Sequence, residues 1–124
     1  MDRVVAEVRN KLDQLINSHY YINMEDPIAY PYLVFNYTLS LRRENSTEVY
    51  IDFNIFDNQG ADSSRIEKAV SNLYRFVNDR SNTIYHDDFY ILFDDMTVND
   101  LPTESDVLQR RTGTINTRIE WRNI

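Results

Sequence analysis

The stretch PYLVFNYTLSLRRENSTEVYIDFNIF, residues 31–56, decides the fold that the sequence predicts. Apolar and polar residues alternate from Pro31 to Leu41 and again from Thr47 to Phe56, which is typical of strands with one buried face. A short polar segment, Arg42 to Ser46, separates the two runs. We therefore expect the two strands to pair as an antiparallel hairpin.

Helices are predicted on both sides of this hairpin in the sequence. Apolar residues that recur three and four positions apart predict one helix from Asp2 to Ser18 and a second from Ser64 to about Asp79. At the start of the second helix, Ser64 and Glu67 fit a capping box, in which each side chain accepts a hydrogen bond from a free helix N–H.

Two further strands are predicted in the last third of the chain. A short aromatic strand spans Phe89 to Phe93, and the last strand spans Thr112 to Arg122 with alternating apolar residues. The segment between them, Asp94 to Gln109, is acidic and contains Pro102, so we expect a long loop there.

These elements predict a single α+β domain over residues 1–124. We expect a two-layer sandwich in which two helices cover one face of a four-stranded antiparallel sheet. A chain of 124 residues has the length of one domain, and its 42% apolar and 27% charged residues are typical of a globular protein.

The net charge of −7 comes from one segment. No Lys or Arg lies between Ser81 and Gln109, a stretch that contains seven acidic residues, while basic and acidic residues balance elsewhere. These acids are Asp87, Asp88, Asp94, Asp95, Asp100, Glu104 and Asp106. Because they repel phosphates, we expect no sequence-specific binding of nucleic acid. The segment is either a solvated loop or a contact for a basic partner, including another copy of the chain.

The sequence contains few of the residues and motifs that catalysis or metal binding requires. With no Cys and only two His, a structural zinc site is not expected, and the Asp pairs do not fit a calcium-loop motif. No nucleophile elbow, P-loop or dinucleotide motif occurs. We expect no catalytic residues, cofactor or metal. Two alternatives stay open: a metal-dependent phosphohydrolase using Asp87, Asp88, Asp94 and Asp95, and a small cytosolic adaptor.

The chain also contains a tyrosine cluster and few long apolar runs. Tyr20, Tyr21, Tyr30 and Tyr32 surround the entry to the first strand, where they would stack on bases or, as we favour, form the edge of the core or a subunit contact. Apolar runs of four or five residues are too short to cross a bilayer, and the charged start of the chain does not fit a signal peptide.

Four segments together resemble the tail-terminator, or tail-completion, proteins of long-tailed bacteriophages (siphophages). They are Tyr30–Phe35, Val49–Asp57, Arg65–Leu73 and the arginine-rich Arg110–Ile115. The resemblance covers nearly the whole chain as an order of elements. The acidic segment from Asp87 to Asp106 departs from the family's pattern.

The resemblance implies a structural virion protein without catalytic residues. Such a protein assembles with itself into a ring, commonly a hexamer, which caps the tail tube and then joins it to the head connector. The implied partners are other copies of the chain, the tail tube protein and the head connector or stopper protein, with no membrane. Synthesis in the host cytoplasm would precede assembly at the head–tail junction. A head-side connector or stopper ring is the nearest alternative.

Because ring interfaces join two different surfaces, opposite charges on different elements are candidate contacts. We expect the acidic segment and two arginine pairs to meet between subunits or at the tail tube. The candidate interface residues are Arg42, Arg43, Asp87, Asp88, Asp94, Asp95, Arg110 and Arg111.

Overall fold

The structure, a computed structural model, describes residues 1–103 and 105–122, with only the backbone for residues 41 and 42. Two α-helices and six strands alternate along these residues, and a 3₁₀ turn joins the second helix to the fourth strand. In chain order the elements are α1 (Asp2–Asp13), β1 (Asn17–Tyr20), β2 (Tyr32–Arg42), β3 (Ser46–Asp57), α2 (Ser64–Asn78), the 3₁₀ turn (Arg80–Asn82), β4 (Ile84–Tyr85), β5 (Phe89–Leu101) and β6 (Gln109–Trp121).

The strands form one mixed sheet in the order β1-β2-β3-β6-β5-β4, curled into a half-barrel. β1 runs parallel to β2, and all other neighbours are antiparallel. The predicted four-stranded antiparallel sheet is therefore wrong, although the α+β class with two helices is correct. β1 and β4 were missed because segments of four and two residues are too short to show an alternating pattern.

The largest local difference from the sequence prediction lies in the acidic segment. Residues 94–101, predicted as a loop, continue β5 to Leu101. A β-bulge at Asp94 inserts one residue, so that Met96 lies opposite Ile115 and Val98 opposite Gly113. The bulge thus returns two apolar residues to the core face, and the loop shrinks to residues 102–108.

Both helices pack on the same face of the sheet. The predicted apolar sides are confirmed for Leu33 to Tyr37, for β3 and for Ile115 to Trp121, and α1 and α2 cover them. Towards the end of β2 the prediction is wrong, because Leu39 is 53% exposed and a bulge at Ser40 places residue 41 opposite Glu48. The principal buried residues are Val4, Val8 and Leu12 of α1, Leu33 and Phe35 of β2, Val49, Ile51, Phe53 and Ile55 of β3, Ile66, Leu73, Phe76 and Val77 of α2, Phe89, Ile91 and Phe93 of β5, and Ile115 and Ile119 of β6. Among the described residues, no helix has the length and apolar character needed to span a membrane.

Side-chain hydrogen bonds set the ends of the helices. α1 ends at Asp13, five residues before the predicted end, because the Asp13 carboxylate accepts the backbone N–H of Ser18 (3.0 Å), which already belongs to β1. The predicted capping box of α2 is wrong: Ser64 donates its N–H and hydroxyl to the Asp62 carboxylate instead (3.0 and 2.7 Å).

Candidate functional site

Both edges of the sheet leave part of a long strand unpaired. β1 pairs with β2 only from Tyr32 to Phe35, and β4 pairs with β5 only at Tyr90 and Ile91. Among the residues that the structure describes, no strand lies beside residues 36–42 of β2 or 92–101 of β5 on their outer side. These segments, named here the β2 edge and the β5 edge, present backbone N–H and C=O groups that another strand can bind.

The outer side of β1 itself is closed by side chains. Arg9 of α1 donates to the carbonyl oxygen of Ser18 (3.1 Å), and Asn17 donates to the Glu25 carboxylate (2.5 Å) and to the carbonyl of Ala29 (3.3 Å). The hydrogen bond from Asn17 is the main cause that lowers the pKa of Glu25 below its usual value. The loop after β1 is therefore folded back over that strand, and the free edge is confined to β2.

The backbone at Tyr21 marks where the β2 edge begins. The N–H of Tyr21 donates to the carbonyl of Phe35 (2.7 Å), which completes the β1–β2 ladder. Tyr21 then takes a φ of 72°, a left-handed conformation that is uncommon for a residue with a side chain. The chain turns there, so Asn36 is the first residue of β2 without a strand beside it.

Asp87 and Asp88 lie in the turn that enters β5. Asp88 forms an ion pair with Arg3 of α1, and its backbone N–H donates to Nδ1 of His86 (3.1 Å). The His86 ring stacks on Phe89, with ring centroids 4.4 Å apart. Asp87 is exposed. Asp88 therefore ties the start of α1 to the start of β5.

Asp94 and Asp95 lie at the bulge, where the β5 edge begins. Asp94 pairs with Arg80 of the 3₁₀ turn (3.4 Å), and Asp95 accepts a hydrogen bond from the amide of Asn116. Both aspartates are exposed. They place two negative charges beside the free backbone groups of β5.

The predicted arginine pairs occupy different surroundings. Arg43 is exposed at the β2–β3 turn and has no ion pair among the described residues, while the side chain of Arg42 lies outside the described part of the structure. Arg110 donates to Asn54 (3.0 Å), and its guanidinium carbon lies 5.6 Å from the centre of the Phe56 ring. Arg43 is thus available for an intermolecular contact, whereas Arg110 already packs on the sheet face opposite the helices.

Arg111 joins three elements of the same chain. Its guanidinium lies 2.7 Å from the Glu67 carboxylate of α2 and 2.8 Å from the Asp100 carboxylate of β5, and the side chain is only 12% exposed. These contacts account for Arg111 within one copy. Its predicted role at an interface stays a prediction.

Among the described residues, Arg43 forms no ion pair with Asp88, Asp94 or Asp95. β3 and β6 lie between β2 and β5 in the sheet, which separates the two edges by about 14 Å at the usual strand spacing. Glu104 lies outside the described residues. Within one copy Asp94 and Asp95 already contact Arg80 and Asn116, so a contact of Arg43 with these aspartates would be an additional one, made between copies.

The tyrosine cluster is divided between the two faces of the sheet. Tyr20 stacks near Tyr37 on the helix side, with ring centroids 6.2 Å apart. Tyr32 stacks with Phe56 on the other face, with centroids 5.1 Å apart. Burial is the first cause that raises the pKa of both Tyr20 and Tyr32. These rings thus form two separate clusters, one on each face of the sheet.

The carboxylates considered for a hydrolase have separate partners. Asp88, Asp94 and Asp95 contact Arg3, Arg80 and Asn116 respectively. Within the described ranges, no group of three or more His, Asp or Glu side chains is placed to hold a metal ion.

The sequence contains an alternating pattern that could have predicted the β5 edge, although residues 94–109 were expected to form a loop. Met96 and Val98 alternate with polar residues, which is a strand pattern once the extra residue at Asp94 is allowed for.

No protein-family model matches this chain, and none of the curated proteins matches its sequence. We therefore infer the function from the two edges and from the charges beside them.

Proposed function

We propose that the chain is a structural virion protein that assembles into a ring, caps the tail tube of a long-tailed bacteriophage and joins it to the head connector. The observation that carries the proposal is the presence of two unlike open edges on opposite sides of one sheet. Copies that join one edge to the other use a heterologous interface, which generates rings when the rotation closes. The order of elements in the sequence supports the choice of the tail-terminator family.

The proposed partners follow from this role. Copies of the same chain, commonly six, form the ring, the tail tube protein binds one end of it, and the head connector or stopper protein binds the other. The protein is made in the host cytoplasm and becomes part of the head–tail junction. The unpaired segments 36–42 of β2 and 92–101 of β5 are long enough to bind another strand, and the aspartates of the β5 edge favour a partner edge that carries basic residues.

Two measurements test this function. Sedimentation velocity and negative-stain electron microscopy of the purified chain are expected to show a closed ring of several copies. Immunogold labelling of the phage particles that encode the chain is expected to mark the junction of head and tail. A chain that stays monomeric at all concentrations, alone and with the tail tube protein, and that is missing from the particles would overturn the proposal.

A further inference from the structure

We infer that neighbouring copies are joined by direct strand pairing, in which the β2 edge of one copy forms an antiparallel ladder with the β5 edge of the next. This inference rests on the proposed ring. For that ring it specifies the backbone segments that meet, their direction and their register. Each copy would then continue the sheet of its neighbour.

The direction of the strands permits such a ladder. β2 and β3, β3 and β6, and β6 and β5 are all antiparallel, so β5 runs opposite to β2 within one copy. When identical copies stand side by side in the same orientation, the β5 edge of one therefore lies antiparallel to the β2 edge of the other. Antiparallel pairs exchange hydrogen bonds between directly opposed residues.

The alternation of the backbone groups also matches. On the β2 side, the carbonyl of Phe35 points outward, since it accepts from Tyr21 (2.7 Å), and the side chain of Phe35 is buried on the helix side. On the β5 side, the carbonyl of Phe89 points outward to His86 (2.9 Å), and Phe89 is likewise buried on the helix side. At both edges, the residues whose backbone groups point outward therefore have their side chains on the helix side. Joined copies can then keep all helices on the same side of the continuous sheet.

The end of β1 and the end of β5 fix the register. The β2 edge begins at Asn36, where the chain of β1 turns away, and the β5 edge ends at Leu101, before Pro102, which has no N–H to donate. With Asn36 opposite Leu101, the whole β2 edge can pair, and the neighbouring β5 ends where β1 begins to pair with β2. Residues 36–39 then pair with residues 101–98 in reverse order.

This register matches side chains across the interface. Leu39, which is 53% exposed on the helix side of β2, comes opposite Val98, a half-buried residue on the helix side of β5. Beyond the bulge of β2 at Ser40, Arg43 comes level with Asp95, which lies next to the bulge of β5. The register thus brings together an exposed apolar pair and one pair of opposite charges, which are favourable cross-strand contacts.

The same register offsets each copy from the next. Within one copy, Asn36 is level with Thr97 across β3 and β6, whereas between copies it is level with Leu101. Each copy is therefore shifted along the strand direction by four residues relative to its neighbour. A stagger of this kind is what a closed ring of tilted strands needs.

Engineered disulfides test the register, because the chain has no cysteine of its own. In the proposed ladder Thr38 and Asn99 form a non-hydrogen-bonded pair, whose Cα atoms are close enough for a disulfide. Both residues are exposed, so Thr38→Cys with Asn99→Cys leaves the core intact. The controls are the two single variants and the pair Thr38→Cys with Thr97→Cys, which matches a register shifted by two residues.

Oxidation of the 38–99 pair is expected to give a ladder of linked chains that ends at the ring size, with none from the single variants. A second variant, Val98→Pro, removes an N–H that points away from β6, so the monomer should keep its thermal unfolding temperature within a few degrees while association weakens at least tenfold. Rings that form without 38–99 linkage and tolerate Val98→Pro would overturn the strand pairing and leave the proposed function standing. Absence of any ring would overturn both.

Discussion

Gly113 of β6 and Phe53 of β3 lie directly opposite each other, and the Phe53 ring occupies the space that a side chain at residue 113 would need. A Cβ atom at residue 113 would lie 2.5 Å from the ring and 2.2 Å from the carbonyl oxygen of Thr97 on β5. The Phe53 ring can therefore occupy this place on the sheet only because residue 113 carries no side chain.

Gly113→Ala is expected to lower the free energy of unfolding by about 3 kcal/mol, the upper part of the range for overpacking, because backbone atoms of β5 would have to move. Gly60→Ala is the matched control: its Cβ meets only an oxygen at 3.6 Å, and its φ of +63° should cost about 1 kcal/mol. Urea denaturation of both variants measures the difference. Equal losses would contradict this account of Gly113.

The buried carboxylate of Asp57 predicts a pH dependence of stability. Arg65 donates two hydrogen bonds to it (2.9 and 2.5 Å) and Asn58 a third through its backbone (2.8 Å). The hydrogen bonds from Arg65 are the main cause that lowers the pKa of Asp57. Their stabilisation is therefore present above the ordinary pKa of aspartate and is lost as the pH falls through the lowered value.

Asp57→Asn is expected to cost about 2 kcal/mol at neutral pH, as for hydrogen bonds to a charged group. The gap between wild type and variant should stay constant down to about pH 5 and narrow below about pH 4. Chemical denaturation across this pH series measures it. Asp62→Asn serves as the control with a smaller effect, because an amide oxygen can still accept the hydrogen bonds from Ser64. A gap that does not change with pH would refute the assignment.

Arg111 should be a structural residue of the monomer. Arg111→Met removes the ion pairs that join α2 and β5 to β6, and we expect a loss of about 1.5 kcal/mol, which added salt reduces. Arg80→Met, which breaks the exposed pair with Asp94, is the control with little change. Thermal unfolding at low and high salt separates them. An Arg111→Met variant as stable as wild type would leave an intermolecular role as its better explanation.

The turn after β1 makes a prediction about Tyr21. Its side chain is 72% exposed, so its replacement removes little packing, but its positive φ favours glycine over any residue with a Cβ. Tyr21→Gly should therefore be more stable than Tyr21→Ala by about 1 kcal/mol. Denaturant midpoints of the two variants provide the comparison, and the reverse order would show that this backbone conformation is not kept in solution.

A charge exchange tests the electrostatic part of the interface. Arg43→Glu should leave the monomer folded and weaken association about twofold to fivefold, the effect of an exposed ion pair. Combining it with Asp95→Arg should restore part of the loss, because the charges are then exchanged. Equilibrium sedimentation at two salt concentrations measures both effects. Rings that are indifferent to both variants would remove the arginines of the turn from the interface.

The sequence predicted the elements whose patterns are long. The hairpin, β6 and α2 showed ten or more residues of alternation or helical spacing, and the buried sides of Val49–Ile55 and Ile115–Ile119 followed directly from them. The candidate interface stays a prediction. Arg43, Asp94 and Asp95 are exposed, whereas Arg110 and Arg111 pack within the monomer.

What the sequence determined by itself is the class of domain, two helices over an antiparallel hairpin, because residue-by-residue periodicity specifies which face of each element is buried. Only the tertiary structure decided the number of strands and the places where the sheet is left open. β1 and β4 are formed by pairing with neighbours rather than by any local preference, and the bulge at Asp94 is visible only against the register of β6. The open edges are thus a property of strand partners, and strand partners are set by contacts between residues distant in sequence.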